Sequence, residues 1–555
     1  MILFLMILVL LTTLTSTLAI TLESSSKNAR ESAARNQARS LGLSIIESAY
    51  AEIFKNPEEF SKYINTSTRL ESTFSAPALD RDGNPTQELW YAFEESNQNY
   101  YSTSASLCTD FNRDCARLTI NAVQNLGNTT SPREVLIRVS TRVDCRGAAT
   151  LCVYSSFEQR LRKAQIYDYL YFNDSASLST RVLEGLNLPI NLADCQKPIS
   201  QLYNAAKANT ASVEQTCLDY IPAFTKNDVI KGKTYLNDDF ILICPGQKTN
   251  GGYGPEFNGS IHVAGSGLQS NGGTKYVVTA DNVRTDPGCA LSGSQGNNLP
   301  SAAASPIKMK FPTDTDLGLS WSGNPCDPAA RSAASLAQLP TDSPLRAAAD
   351  NGSLICITGS GSVNITFTPT GVLVVDGVVV NQTGSILSPV SGAPVSQSYN
   401  GKLLYVNVVG KAVINGSYQG YSTVVTKNAV EISNNLVKSS PASALAVIAS
   451  DEIDILQTGG DITVQGVLVS LNQSVLNKNW NVPGSVSKFI FSGTLAGKYR
   501  TVLGSYDANT GQAVTGFEKD LTWDSSASNQ NIPYLPTPKS DGWLRLGLSE
   551  VKYQS

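Results

Sequence analysis

Histidine is all but missing: His262 is the only one in 555 residues. A Ser-His-Asp or Cys-His catalytic site would have to use that residue, which sits in the alternating run SIHVAG and reads as an ordinary strand histidine. No Walker loop and no GxGxxG following a strand is present, and Gly-rich pieces such as GSGSV at 359–363 are turns, so nucleotide chemistry is not expected. Charge is scarce as well, with 16% charged residues and a net charge of -4, which removes any global basic field that would drive nucleic-acid binding. The chain has ten cysteines, at 108, 115, 145, 152, 195, 217, 244, 289, 326 and 356, but no CxxC pair and no neighbouring histidine. Zinc sites need tighter clusters, so the expectation is five intramolecular disulfides in a non-cytoplasmic body. Cys108 with Cys115 and Cys145 with Cys152 have matching spacings that suit stapled loops, while the remaining pairings stay open.

The longest absence is at the start. The run MILFLMILVLLTTLTSTLAITL, residues 1–22, has no charged side chain, enough at 1.5 Å per residue to cross a ~30 Å hydrocarbon layer. From Glu23 the pattern turns amphipathic without a break: Ala34, Ala38, Leu41, Ile45, Ala49 and Ile53 recur at helical steps between Glu31, Arg35, Arg39, Glu47 and Glu52. No proline interrupts the run before Pro57, so one helix of roughly 80 Å is expected, half in lipid and half on a globular head. A secretory signal peptide is the competing reading. It wants a basic n-region, yet no Lys or Arg precedes Lys27, and Thr17-Leu18-Ala19 is a weak cleavage site.

After Phe54 helical patterns thin out and Gly, Ser, Thr and Asn abound, so the body is expected to be mostly β. In EVLIRVSTRV, from Glu134, Val135, Ile137, Val139 and Thr141 alternate with Leu136, Arg138 and Ser140, as in a strand with one wetter face. LWYAF near Trp90 and LCVYSSFEQRL from Leu151 are further strands, and RKAQIYDYLYFND, 162–174, reads as buried aromatics at a domain junction. From 241 the runs FNGSIHVAGSGLQ, GSVNITFTPTGVLVVDGVVVNQTG, KLLYVNVVGKAVINGSY, YSTVVTKNAVEISNN and DEIDILQTGGDITVQGVLVSLN are short strands with Gly or Asn at their corners. They predict a right-handed β-solenoid, with a β-sandwich as the alternative. The expected layout is an assembly helix (1–56), a β head (57–180), a connector (181–240), the solenoid (241–540) and a closing strand (541–555) that either caps the solenoid or returns to the head sheet.

The first 53 residues resemble the amino-terminal helix of type IV pilins, in particular the PilX-type minor pilins. The segment Gly493–Pro538, GTLAGKYRTVLGSYDANTGQAVTGFEKDLTWDSSASNQNIPYLPTP, is similar to the closing segment of large DNA-uptake pilins that carry a solenoid. Two departures stand out. The sequence opens at Met1 without a basic leader ending in Gly, as a processed or mis-set start would, and Leu5 stands where major pilins carry glutamate. The resemblance implies an α+β, mostly β fold with a pilin helix, a pilin-like head and a large carboxy-terminal right-handed β-solenoid. It implies Met1, Leu5, Leu8 and Leu11 in filament assembly, other minor and major pilins and the inner membrane as partners, and a place at the filament tip on the cell surface. It also implies extracellular DNA as ligand, taken up in natural transformation; a tip adhesin or an initiator of filament assembly is the alternative.

Lys402, Lys411, Lys427 and Lys438 lie in one stretch whose only acidic residue is Glu431, and stacked coils would bring them into a basic strip. The plain alternative is scattered surface lysines. Tyr405, Tyr418 and Tyr421 lie among them, suited to base stacking or to packed ladders. Glu452 and Asp454 form a same-face carboxylate pair, read as a solvated rim and not as a glycosidase dyad. Asp314-Thr315-Asp316-Leu317-Gly318 resembles the start of a calcium loop but has no glutamate at the bidentate position. No enzyme activity, cofactor or metal is expected.

Overall fold

The computed structural model describes residues 2–55, the strands within 91–163, and most of 166–263, 311–380 and 398–551, with two further strands at Val283–Thr285 and Ala302–Ala304. The chain is α+β and mostly β. It divides into two units, Met1–Lys163 with Asp541–Ser555, and Ala164–Ser540.

The first unit is built on one helix, α1 (Ile2–Lys55), beside an antiparallel sheet of β1 (Tyr91–Ala92), β2 (Cys115–Val123), β3 (Glu134–Val143), β4 (Val153–Lys163) and the closing strand Trp543–Val551, in that order. The closing run therefore joins β4, with Trp543 opposite Lys163 and Val551 opposite Ser156. Along α1, residues 7–33 are exposed, whereas Ala34, Ala38, Leu41, Ile45 and Ile46 are buried. That stripe has the expected helical spacing and meets Ile137, Val139, Thr141, Phe157 and Leu161 of the sheet's buried face. Contact is close at Gly42, where a Cβ would lie 2.7 Å from the Phe157 ring; beside it the Thr141 hydroxyl donates to the Ala38 carbonyl at 3.0 Å. In the exposed half, the hydroxyls of Thr12, Thr13, Thr15, Ser16, Thr17 and Thr21 donate back to carbonyls three or four residues earlier. An apolar solvent is thus offered no unbonded hydroxyl proton by these residues.

The second unit is a β-solenoid with three faces. Face A is a ten-strand parallel stack, in the spatial order Leu354–Gly359, Lys402–Val408, Tyr421–Thr426, Ala444–Ala449, the second half of Ile462–Ser470, the second half of Ser487–Gly497, Tyr171–Asn173, Thr234–Leu236, Ile261–Val263 and Ala302–Ala304. The winding is permuted: the chain enters mid-stack at Tyr171, winds one way to 304, crosses to the far end and winds back from 354 until Leu495 pairs with Tyr171. Face B runs through Ala412–Tyr418, Val430–Lys438, Ile453–Ile455 and Val475–Asn477. Face C is traced by the inward column Leu436, Val464, Phe491, Leu521, Ile230 and Phe257.

The interior follows from this register. Leu404, Val424, Val447, Leu468 and Leu495 stack inward on face A, and Ile414, Ile432 and Ile455 stack inward on face B. The outward column of face A, Tyr405, Val425, Ile448, Val469, Ala496, Phe172 and Tyr235, is buried too. This explains unbroken apolar runs such as ALAVIA at 444–449, because a strand covered on both sides has no wet face to mark with polar residues. The cover comes from segments outside the winding. Phe311 stacks on Phe172 at 5.7 Å, the Asp314 carboxylate accepts from Asn472 at 2.8 Å, and the Trp321 carbonyl accepts from the Lys427 ammonium at 3.1 Å, so 311–321 climbs the stack. The expected Gly and Asn corners are present: the Asn428 amide reaches the carbonyls of Val408, Val409 and Gly410.

At the corner between faces C and A, Gly466 and Gly493 sit in register at φ +136° and +147°, and a Cβ on Gly493 would lie 1.8 Å from the Gly466 carbonyl oxygen. Gly493→Ala should therefore cost more than about 2 kcal/mol, since both the backbone conformation and the space reject a side chain. Hydrogen exchange should show lost amide protection in Ile462–Ser470 and Ser487–Gly497; unchanged protection would show that the corner can open without cost.

Candidate functional site

The four lysines lie at different corners, and each ammonium has a partner within its own unit. Lys402, opening its face A strand, donates to the Gly352 carbonyl at 3.3 Å. Lys411, at the corner leading to face B, pairs with the buried Asp454 and lies 3.8 Å from Glu431. Lys427 holds the Trp321 carbonyl, and Lys438 pairs with Asp524 at 2.5 Å, both side chains being largely covered. Three of the four tie a coil to something that crosses or adjoins it: the climbing segment, the exit segment after 522, or a carboxylate on the next coils. Sequence reading missed the acceptors because Asp524, Asp454 and Trp321 lie outside the lysine-rich stretch or beyond its acidic census. The tyrosines divide likewise. Tyr405 and Tyr418 are buried, with the Tyr418 hydroxyl donating to the Gln465 carbonyl at 3.0 Å, and only Tyr421 is part-exposed.

His262 belongs to an aromatic ladder. It pairs in register with Tyr235, stacks near it at 6.4 Å, meets the edge of Tyr169 at 5.9 Å, and its Nε2 lies 2.7 Å from the Ser260 hydroxyl. Burial lowers its pKa, and Lys233 lowers it further, so the imidazole is held neutral as packing surface. The segment Asp314–Leu317 is a short helix whose start is closed by a reciprocal pair, Thr313 side chain to the Asp316 backbone and Asp316 side chain to the Thr313 backbone, with Gly318 left-handed at its end. Asp316 is taken up by that cap and Oδ2 of Asp314 accepts from Asn472, so the DTDLG pattern forms a capped turn.

The carboxylate pair corrects the sequence reading. Glu452 and Asp454 are not a solvated rim: both are fully buried, Glu452 at the corner between Ala444–Ala449 and Ile453–Ile455 and Asp454 within the latter strand, opposite Glu431. Glu452 pairs with Arg181, from the short helix Thr180–Gly185 that follows the entry strand. Its pKa is pushed up to about 7, by burial first and then by Asp451 and Asp454, against the pull of Arg181. Among the described residues no group of His, Cys, Asp and Glu is arranged to hold a metal.

Of the cysteines, Cys195 and Cys217 form a disulfide with Cα atoms 5.1 Å apart, joining the turn Leu192–Gln196 to the helix Val213–Tyr220. Cys152 and Cys356 are also disulfide-bonded, and no described cysteine is free. Cys108, Cys145, Cys289 and Cys326 lie outside the described residues, as does Met1, while Cys115 and Cys244 stand in strands. Leu5 lies on α1, and Leu8 and Leu11 are exposed on it.

No protein-family model matches the chain, and no curated protein matches it. Among solved structures, the competence-associated pilin ComZ from Thermus thermophilus aligns over 93% of this chain and 97% of its own, at 12% identity and a TM-score of 0.30. Similarity at that level carries no argument from that protein to this one.

If the lysines are internal ties, Lys438→Gln should cost on the order of 1–2 kcal/mol, because it strands a covered carboxylate, whereas Lys402→Gln should cost a few tenths. Thermal unfolding of the two variants checks the order; equal and negligible effects would show the Lys438 pair to be idle.

Proposed function

We propose that the chain is a pilin-like minor subunit of a type IV pilus or related filament, held in the inner membrane by α1 before assembly and presenting its β-solenoid unit on the periplasmic and cell-surface side. The observation that carries the reading is the division of α1: an apolar half without any buried contact runs unbroken into a half that lies on the antiparallel sheet through Ala34, Ala38, Leu41 and Ile45. A simple anchor gains nothing from that continuity, whereas a subunit that must pass from lipid into a helical filament core needs a rigid rod fixed to its head. In this reading Met1, Leu5, Leu8 and Leu11 face neighbouring pilins. Disulfides suit the same compartment.

For the ligand we propose extracellular DNA, taken up in natural transformation, with Lys402, Lys411, Lys427 and Lys438 as the phosphate contacts. A tip adhesin or an assembly initiator without DNA binding is the second reading. It is favoured by the internal acceptors those lysines already hold, since breaking such pairs offsets part of what phosphate contact supplies.

Full-length protein should partition with the membrane fraction, and removal of residues 1–26 should release a folded body. A secreted form cut near Ala19 would overturn the anchor. Binding of duplex and single-stranded DNA by the full-length protein in detergent should fall steeply with salt, the slope flattening by roughly 0.7–0.9 per lysine changed to Gln. Absence of binding at low salt, or binding unchanged by the fourfold substitution, would sink the lysine assignment and leave the adhesin or initiator reading.

A further inference from the structure

The corner carrying Asp451, Glu452 and Asp454 gathers buried and half-buried charges that do not balance. Four carboxylates meet there on two successive coils: Glu431 on one, and Asp451, Glu452 and Asp454 on the next. Three cations face them from separate elements. Arg181, on the entry helix Thr180–Gly185, pairs with Glu452; Lys411, in the corner of an earlier coil, pairs with Asp454 and approaches Glu431; Lys478, in the corner of a later coil, pairs with Glu431 at 3.1 Å. Glu452 and Asp454 are fully buried; Arg181 meets Oε1 of Glu452, while Oε2 of Glu452 and Oδ1 of Asp454 meet no hydrogen-bond donor. Such oxygens are costly as anions in a dry site, and one proton completes the balance.

We propose that this corner is a one-proton switch that sets how firmly the entry helix Thr180–Gly185 is held against the solenoid. The residues leading to that helix climb the same edge: the Ser177 carbonyl accepts from the Arg500 amide, Ser179 lies by Ser474 at 3.5 Å, and Arg181 then covers Glu452. With Glu452 protonated, the corner is neutral overall and closed. Ionisation gives Arg181 its anion, but it also places a negative charge in a buried corner beside Asp451 and Asp454, and burial and like charge outweigh the single guanidinium, so it favours the state in which the helix lifts and admits water.

The sign follows from linkage. In the closed corner Glu452 holds its proton to about pH 7, whereas in a hydrated corner it returns toward its ordinary 4.5. The closed state is therefore fully favoured below about pH 4.5, loses ground as pH rises, and has lost the whole contribution above about pH 7. The switch is independent of what the solenoid binds.

Hydrogen exchange of the full-length protein in detergent, corrected for intrinsic base catalysis, reads this directly. The opening constant of peptides covering 177–186 and 450–456 should rise by up to tenfold per pH unit between about pH 5 and 7 and then level off. Glu452→Gln should remove the dependence. Asp451→Asn, which keeps Glu452 and removes a like charge, should move the plateau to lower pH, and it decides the matter if the glutamine variant fails to fold. A pH-independent opening constant in the wild type, a slope retained in Glu452→Gln, or a plateau unmoved by Asp451→Asn would each overturn the proposal.

Discussion

The solenoid depends on one short seam, the pairing of Leu495, Ala496 and Gly497 with Tyr171, Phe172 and Asn173. The two segments lie more than 320 residues apart in the chain, and their union turns two windings into one continuous face. Groups around it hold it shut. The Thr494 hydroxyl donates to the Tyr167 and Tyr169 carbonyls, the Trp523 indole donates to the Tyr167 carbonyl at 3.2 Å, and the Tyr167 hydroxyl donates to the Pro536 carbonyl. Entry and exit of the unit are thereby tied at one point, and in the chain the unit is inserted between β4 and the closing strand.

A permuted winding also explains the segments that lie across the coils. Having wound from Tyr171 to Ala304, the chain must travel the length of the stack before starting again at Leu354. The crossing segment supplies Phe311, Leu317, Leu319 and Trp321 as buried side chains, and its capped turn at Thr313–Gly318 satisfies the backbone of a stretch that no ladder can serve. Lysines at coil corners complete the attachment. Lys402, Lys411, Lys427 and Lys438, which read as a basic strip in one dimension, each also hold an acceptor within the unit.

Much of this was legible in the sequence, and the rest has a physical reason for being hidden. The helix stripe Ala34, Ala38, Leu41 and Ile45, the alternation of β3 and the Gly and Asn corners are local signals, and local signals survive folding. Seam order is not local: Tyr171 pairs equally well with any strand of matching pattern, so no residue announces Leu495. The burial of Glu452 was hidden for a related reason. Its partner, Arg181, comes from 271 positions earlier, and a carboxylate beside two others reads as a wet rim until a remote helix covers it.

The permuted winding is tested by two distances measured with spin labels, placed through a non-canonical residue so that the cysteines are left alone. Asp174, Lys498 and Ser360 each follow a face A strand and lie along the same edge. The seam places labels at 174 and 498 one strand step apart, about 5 Å of backbone separation, and labels at 174 and 360 six steps apart, about 29 Å. A short first distance and a long second one are predicted. The reverse order, with 498 farther from 174 than 360 is, would mean the coils are stacked in sequence order and would contradict the account.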